Sequence, residues 1–257
     1  MICQTSQLLL GSAPPGRLIG FVFFSTICSY NFHAYLTPRS VNSSRRSQWT
    51  QHHKALHFVF YLAGGVGAAV YFFYLLPHAV ALAFSILVSF GYSAPKLPYP
   101  FFRRMKRKMF GKTIFLALVW TYVTTVLPVL VADTPWNGRY TLFAASRFFF
   151  IFAICILFDY RDRECDRGER IRSLVTLLNE SGIDRLFGTT LFGFAFCSIG
   201  MYGYHYPAFD ILLLLIPGII LALLYPSAKK DFSDYLYSFV LDGLLMFSGL
   251  LTLIFRI

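Results

Sequence analysis

The sequence predicts an all-α, polytopic membrane helix bundle, and three observations predict it. The 257 residues are 56% hydrophobic and 14% charged, too apolar for a soluble chain of this length. Several apolar runs reach the ~20 residues that a helix needs to cross a bilayer. The cations, finally, sort by loop in the way a membrane topology requires. Lipid offers backbone groups no hydrogen-bond partner, so spanning segments of this kind must be helices that satisfy themselves.

Eight full transmembrane helices are expected, at 18–36, 55–76, 78–93, 113–132, 140–158, 186–204, 208–226 and 236–255. A tight turn at Pro77 and His78 joins the second to the third. The third is short because the two prolines of "GYSAPKLP" stop a helix. Before the first span stands "MICQTSQLLLG", too short to cross alone and followed by the turn-like "SAPPG". It reads as the outer half of a helix whose inner half is missing, through a late start codon or a truncation; the alternative is a short external or interfacial segment. The chain 1–257 is expected to form a single transmembrane domain.

The loop cations fix the orientation. Arg39, Arg45, Arg46 and Lys54 lie between the first two spans, and Lys96, Arg103, Arg104, Lys106, Arg107, Lys108 and Lys112 follow the third. Arg161, Arg163, Arg167, Arg170, Arg172 and Arg185 follow the fifth, and Lys229 and Lys230 the seventh. With alternating spans all of these share one side, against Arg17 and Arg139 in the opposite loops, and the positive-inside rule places the rich side in the cytoplasm. The net charge of +11 therefore serves topology and contact with anionic lipid rather than nucleic acid. Cys3, Cys28, Cys155, Cys165 and Cys197 form no CxxC pair and read as reduced thiols, not a zinc site.

One stretch carries chemistry. "FDYRDRECDRGERIRSL" follows directly on the fifth apolar run and contains Asp159, Asp162 and Asp166. If the helix continues past Phe158, positions i, i+3 and i+7 lie within ~60° and the three carboxylates share a face. At an effective dielectric of ~20 and ~6 Å separation, each neighbouring pair repels by roughly 3 kcal/mol before screening. A hard divalent cation with oxygen ligands, such as Mg²⁺ bridging to phosphate, would offset that. The alternative is a solvated helix end laced by the i,i+4 pairs Asp159–Arg163 and Asp166–Arg170.

This stretch resembles the second aspartate-rich motif of the UbiA family of intramembrane prenyltransferases, D-x-x-D-x-x-x-D followed by a G-I-[KR]-[ST]-L-like segment. "YSAPKLP" at 92–98 is similar to that family's Tyr-Ser/Thr-x-Pro segment, and "YLYSFVLDGLLM" at 235–246 to its last helix. Eight spans and a half-helix resemble its nine-helix bundle with the first helix clipped. The family's first motif, N-x-x-x-D-x-x-x-D, corresponds here to "NFHAYLTPR": Asn31 matches, whereas Tyr35 and Arg39 stand in place of the two aspartates.

The resemblance implies a transferase that moves an isoprenoid chain from a prenyl diphosphate donor to a lipophilic acceptor with Mg²⁺ as cofactor, the donor tail lying among the helices and open to membrane lipids. It implies Asp159, Asp162 and Asp166 as metal ligands. Asn31 then supplies a polar ligand or a hydrogen bond to the diphosphate, and Arg39 pairs with phosphate directly, as a guanidinium can bidentately. Lys96, Arg103 and Lys106 add phosphate contacts, and Tyr92 lies near the cavity. Tyr35 is either catalytic or an interfacial anchor. The expected location is the bacterial inner (cytoplasmic) membrane, with the site on its cytoplasmic side. A rival reading is a catalytically impaired protein of the same fold that binds isoprenoid or lipid, or scaffolds a partner. A transporter would want broken helices at mid-membrane and internal repeats. Asp242, inside the last span, is expected to face the bundle interior, and His33, His52, His53 and His57 to be polar interface residues rather than metal ligands.

Overall fold

The computed structural model describes residues 1–12, 15–36, 45–93, 112–168 and 173–256. They are helical, with no strand among them. Six helices are long and apolar enough to cross a membrane: Lys54–Tyr74, Lys112–Val131, Gly138–Glu164, Glu180–Tyr204, Ala208–Ala228 and Leu236–Phe255. These match six of the expected spans. The remaining two are also helices. Gly16–Tyr35 has the length but carries Arg17, Asn31 and His33, and Leu76–Gly91 is apolar but shorter.

The chain divides into two compact units. One, Pro15–Lys108, holds α2 (Gly16–Tyr35), α3 (Arg45–His52), α4 (Lys54–Tyr74) and α5 (Ala79–Ser93). A 3₁₀ turn at Leu76–His78 makes the expected bend before α5. The defining contact is α2 against α4. The small-residue run "AGGVGAA" lets the two backbones approach closely, as small residues do in membrane bundles. A Cβ on Gly64 would stand 2.6 Å from the Cys28 amide nitrogen and 2.9 Å from the Phe24 carbonyl. Gly67 accommodates the Phe24 ring and Gly20 that of Tyr71, and these two rings stack 5.8 Å apart.

The other unit joins Met1–Pro14 to Met109–Ile257. It contains α1 (Ile2–Thr5), which runs into a π turn at Ser6–Leu10, and α6 (Lys112–Val131) with a π turn at Tyr122–Val126. Then come α7 (Gly138–Gly168), α8 (Leu174–Leu177), α9 (Glu180–Gly200) and α10 (Ala208–Ala228). A π turn at Leu236–Leu241 leads into α11 (Asp242–Arg256). α7 is the spine: α6 and α9 pack against it, and Phe150, Ile151, Ile156 and Leu157 form a core with Phe187, Phe194, Leu221 and Tyr237.

Buried polar groups bind this unit together. Arg147, in the apolar middle of α7, is 1% exposed. It donates to Ser248 Oγ (3.0 Å), Ser146 Oγ (3.1 Å) and Gln4 Oε1 (3.4 Å), and lies over the rings of Phe143, Phe150 and Phe194. Gln4 in turn donates to the Ser248 carbonyl (2.9 Å) and Thr252 Oγ1 (3.0 Å). Next to it, Thr5 Oγ1 donates at 2.8 Å to the Thr124 carbonyl. That carbonyl is four residues before Pro128, which has no N–H to offer it. The N-terminal ten residues are thus built into the bundle, with Gln4, Thr5 and Ser6 at 1% exposure or less, rather than lying outside it.

Two expectations are corrected. Residues 159–168 are not loop: α7 runs without a break to Gly168, and α9 begins already at Glu180. Asp242, expected to face the interior, is exposed, at the point where the π turn gives way to α11.

Two outcomes are expected for thermal unfolding of the purified chain in detergent. Gly64→Leu, which drives side-chain atoms into the α2 backbone, costs about 1–3 kcal/mol. Arg147→Ala strips donors from Gln4 and Ser248 and opens a cavity, costing about 2–5 kcal/mol, whereas Arg147→Met, which fills the space without the charge, costs less.

Candidate functional site

The acidic face is delivered by the continuation of α7. Asp159 and Asp166 are both buried, at 7% and 8% exposure, and Asp162 between them has a side chain 47% exposed. Two of the three carboxylates therefore point into the protein and the third stands at the rim. Asp159 accepts a hydrogen bond from the Thr113 hydroxyl in the first turn of α6, where Lys112 places a cation nearby. Asp162 accepts from Arg161 Nε at 3.0 Å. Arg161 is itself set on an aromatic platform, over the rings of Phe158 (5.2 Å) and Tyr237 (4.8 Å).

The solvated ladder of i,i+4 pairs does not form at Asp159. Arg163 is buried, donates to the Glu180 carboxylate and, at 2.8 Å, to the Leu178 carbonyl, and makes no ion pair with Asp159. Arg170 lies outside the described residues. The turn that supplies Glu180 and Leu178 is fixed by local chemistry. Ser173 and Thr176 form a reciprocal capping box at the start of α8, and Asn179 Oδ1 caps α9 by accepting from the Gly182 amide (2.8 Å). Glu180 in the first turn of α9 also suits the positive end of that helix.

Lys229 completes the cluster. It binds Glu180 Oε2 at 3.0 Å and Asp184 Oδ1 at 2.7 Å. Burial disfavours its charge, but bonds to Asp184 and Glu180 outweigh that and hold the ammonium above the ordinary lysine range. Tyr225 donates to Asp184 (2.5 Å) and Tyr160 to Glu180 (3.2 Å). Tyr237 donates at 2.7 Å to the Ala228 carbonyl at the end of α10. The ends of α7, α9 and α10 are thereby tied around the acidic face. The open cavity lined by Gln7, Arg139, Tyr204 and His205 lies at the other end of α7.

Among the described residues, no three of His, Cys, Asp and Glu gather closely enough to hold a metal ion on their own. The donor set still fits Mg²⁺. Carboxylate and hydroxyl oxygens are its ligands, and it commonly takes only one or two carboxylates from a protein, with waters and phosphate oxygens completing the octahedron.

The first-motif positions lie in the other unit. Asn31 Nδ2 donates to the Ile27 carbonyl at 2.8 Å, which leaves Oδ1 as the acceptor for His57 Nδ1 at 2.7 Å. His57 must therefore carry its proton on Nδ1. His53 Nδ1 bonds to the Trp49 carbonyl (2.9 Å) and its ring stacks on Trp49. Tyr35 is 40% exposed and packs against Phe58. Arg39, Lys96, Arg103 and Lys106 lie outside the described residues; Tyr92 is in α5, and its side chain lies outside them too.

Thr113, Glu180 and Arg147 escaped the sequence reading, and Lys229 entered it only as a loop cation. A threonine at a span boundary gives no signal. Arg147 did: it is a lone cation inside the apolar run 140–158, where an ionisable residue always demands a partner.

A set of long apolar helices, the longest of which carries buried aspartates beyond its apolar part, defines an integral membrane protein. Residues 50–235 match the model of the UbiA prenyltransferase family, and the chain belongs to that family. No curated protein and no solved structure matches it. The matched range includes the acidic stretch and the basic loop, and it begins after Asn31, Tyr35 and Arg39.

Proposed function

We propose that this chain is a membrane prenyltransferase that moves an isoprenoid chain from a prenyl diphosphate to a lipophilic acceptor. The observation that carries this reading is the burial of Asp159 and Asp166 on the unbroken extension of α7, within the part of the chain that the family model covers. Counting Gly16–Tyr35 and Ala79–Ser93 as spans beside the six longer helices supports an eight-span reading, and the one-sided cations support an acidic end that faces the cytoplasm.

On this reading one or two of Asp159, Asp162 and Asp166 at a time would ligate Mg²⁺, with water and phosphate oxygens completing its shell, and the ion would neutralise charge growing on the departing diphosphate. Thr113 keeps the Asp159 carboxylate at a fixed angle, so no reorganisation is needed when that charge develops. Lys112 and the basic residues Lys96, Arg103 and Lys106 attract the phosphates. The bond between the allylic carbon and the diphosphate oxygen breaks, the diphosphate keeps the electron pair, and the acceptor supplies the pair for the new bond and then loses a proton. Aromatic faces favour a nearby carbocation by the attraction that holds ammonium groups over rings. Arg39 pairs with phosphate in place of a first-motif metal site.

A second reading, a non-catalytic protein that binds isoprenoid or lipid, is favoured by one observation. The Asn31 amide is already engaged by Ile27 and His57, and Tyr35 packs on Phe58, so the described first-motif positions offer no carboxylate.

The purified full chain in lipid nanodiscs, titrated with geranyl diphosphate, is expected to bind it in a Mg²⁺-dependent manner, and Asp162→Ala to weaken binding about tenfold, or ~1.4 kcal/mol. Membranes containing the chain, incubated with labelled prenyl diphosphates and lipid extract, are expected to yield a prenylated lipid by mass analysis, with Asp159→Asn slowing the reaction about 10²-fold or more. Binding that persists in chelator and in Asp162→Ala removes the metal assignment. Intact binding without any product favours the second reading.

A further inference from the structure

Arg163 is placed by sequence to neutralise Asp159. The two are four residues apart on one helix, with the acid on the N-terminal side, the favourable arrangement for an ion pair. The structure sends Arg163 elsewhere, to Glu180 and the Leu178 carbonyl. We infer that Glu180 is a positioning residue: by drawing the Arg163 guanidinium across to the start of α9, it keeps a second cation, beyond Lys112, off Asp159 and leaves that carboxylate available to Mg²⁺ and diphosphate. This rests on the prenyltransferase reading and names a residue that sets the metal requirement of the same site.

Three features support a directional role over simple strengthening of the fold. The Glu180 side chain is 55% exposed while that of Arg163 is 10% exposed, and an ion pair with a half-exposed partner contributes little to stability. Glu180 is itself held in place through its second oxygen, by Lys229 at 3.0 Å and Tyr160 at 3.2 Å, so it presents the first oxygen to Arg163 at a set position. The Leu178 carbonyl, brought close by the caps on Ser173 and Asn179, accepts from the other guanidinium nitrogen. Arg163 is gripped at two points, one on the first residue of α9 and one on the turn before it.

The test measures retention of geranyl diphosphate by the full chain in nanodiscs as a function of Mg²⁺ concentration. Glu180→Gln releases Arg163 toward Asp159 and is expected to raise the half-saturating Mg²⁺ about tenfold, a difference of ~1.4 kcal/mol, with maximal retention unchanged. Removing the released cation as well, in Glu180→Gln/Arg163→Gln, returns the requirement to within about twofold of the parent chain. Arg163→Gln alone stays within the same range. Lys229→Gln takes an ion pair from the same carboxylate but leaves Arg163 bound, and does not shift the requirement. An unshifted Glu180→Gln, a double variant no better than the single one, or a Lys229→Gln shift equal to that of Glu180→Gln overturns the inference. Should Glu180→Gln not fold, an altered requirement in Arg163→Gln alone does so. Retention that ignores Mg²⁺ in the parent chain instead sinks the metal reading, and the inference with it.

Discussion

A guanidinium in the apolar middle of a membrane helix sets the terms for the larger unit. Arg147 is almost fully buried, and its hydrogen bonds go to neutral oxygens of Gln4, Ser146 and Ser248 rather than to a carboxylate. A charge at that depth costs about 2.5–3.5 kcal/mol even on insertion scales. Such a group is tolerated only if every neighbour is arranged for it. Three phenylalanine rings present their faces, and two serines and a glutamine present oxygens. The arrangement recruits α1, α7 and α11 at once and so fixes the relative register of the first, middle and last parts of the unit.

The same helix then does a second task at its far end. Past Phe158 its apolar character stops but its backbone does not, and this is how aspartates reach buried positions at the edge of the membrane. A loop at 159–168 would have left them in solvent. Their neighbours divide the labour between them. Thr113 bonds to Asp159, and Arg161, set on its aromatic platform, bonds to Asp162. Glu180 holds Arg163 aside.

How much of this was legible follows from which forces act locally. Length and apolar content located the six long apolar helices, although α7 and α9 reach several residues beyond their apolar runs. The acidic face was legible as far as the helix geometry goes: i, i+3 and i+7 do lie on one continuous helix. Burial was not. Asp162 is half exposed and bonded to Arg161, which lies over Tyr237 some seventy-five residues later in the chain, a contact that no local pattern announces. Asp242 shows the same limit in reverse. Its position inside an apolar run suggested a buried side chain, yet it is exposed where the π turn at Leu236–Leu241 gives way to α11. The engagement of Asn31 by His57 was equally hidden, since twenty-six residues separate them and the histidine cluster has no motif of its own.

The hydrogen bonds of Gln4 and Thr5 have a consequence for biogenesis. Gln4 is joined to residues 244 and 248 positions further on, and Thr5 to a carbonyl that Pro128 has deprived of its usual donor. Thr5 can meet the Thr124 carbonyl as soon as α6 is made, because Thr5 precedes it. Gln4 and Arg147 wait for Ser248, 101 residues after Arg147. In that interval the Gln4 amide and the Arg147 guanidinium need interim partners among lipid headgroups, water or the translocation machinery. Quality control that inspects nascent membrane proteins would therefore meet this one with a polar interior seam still open until α11 is in place.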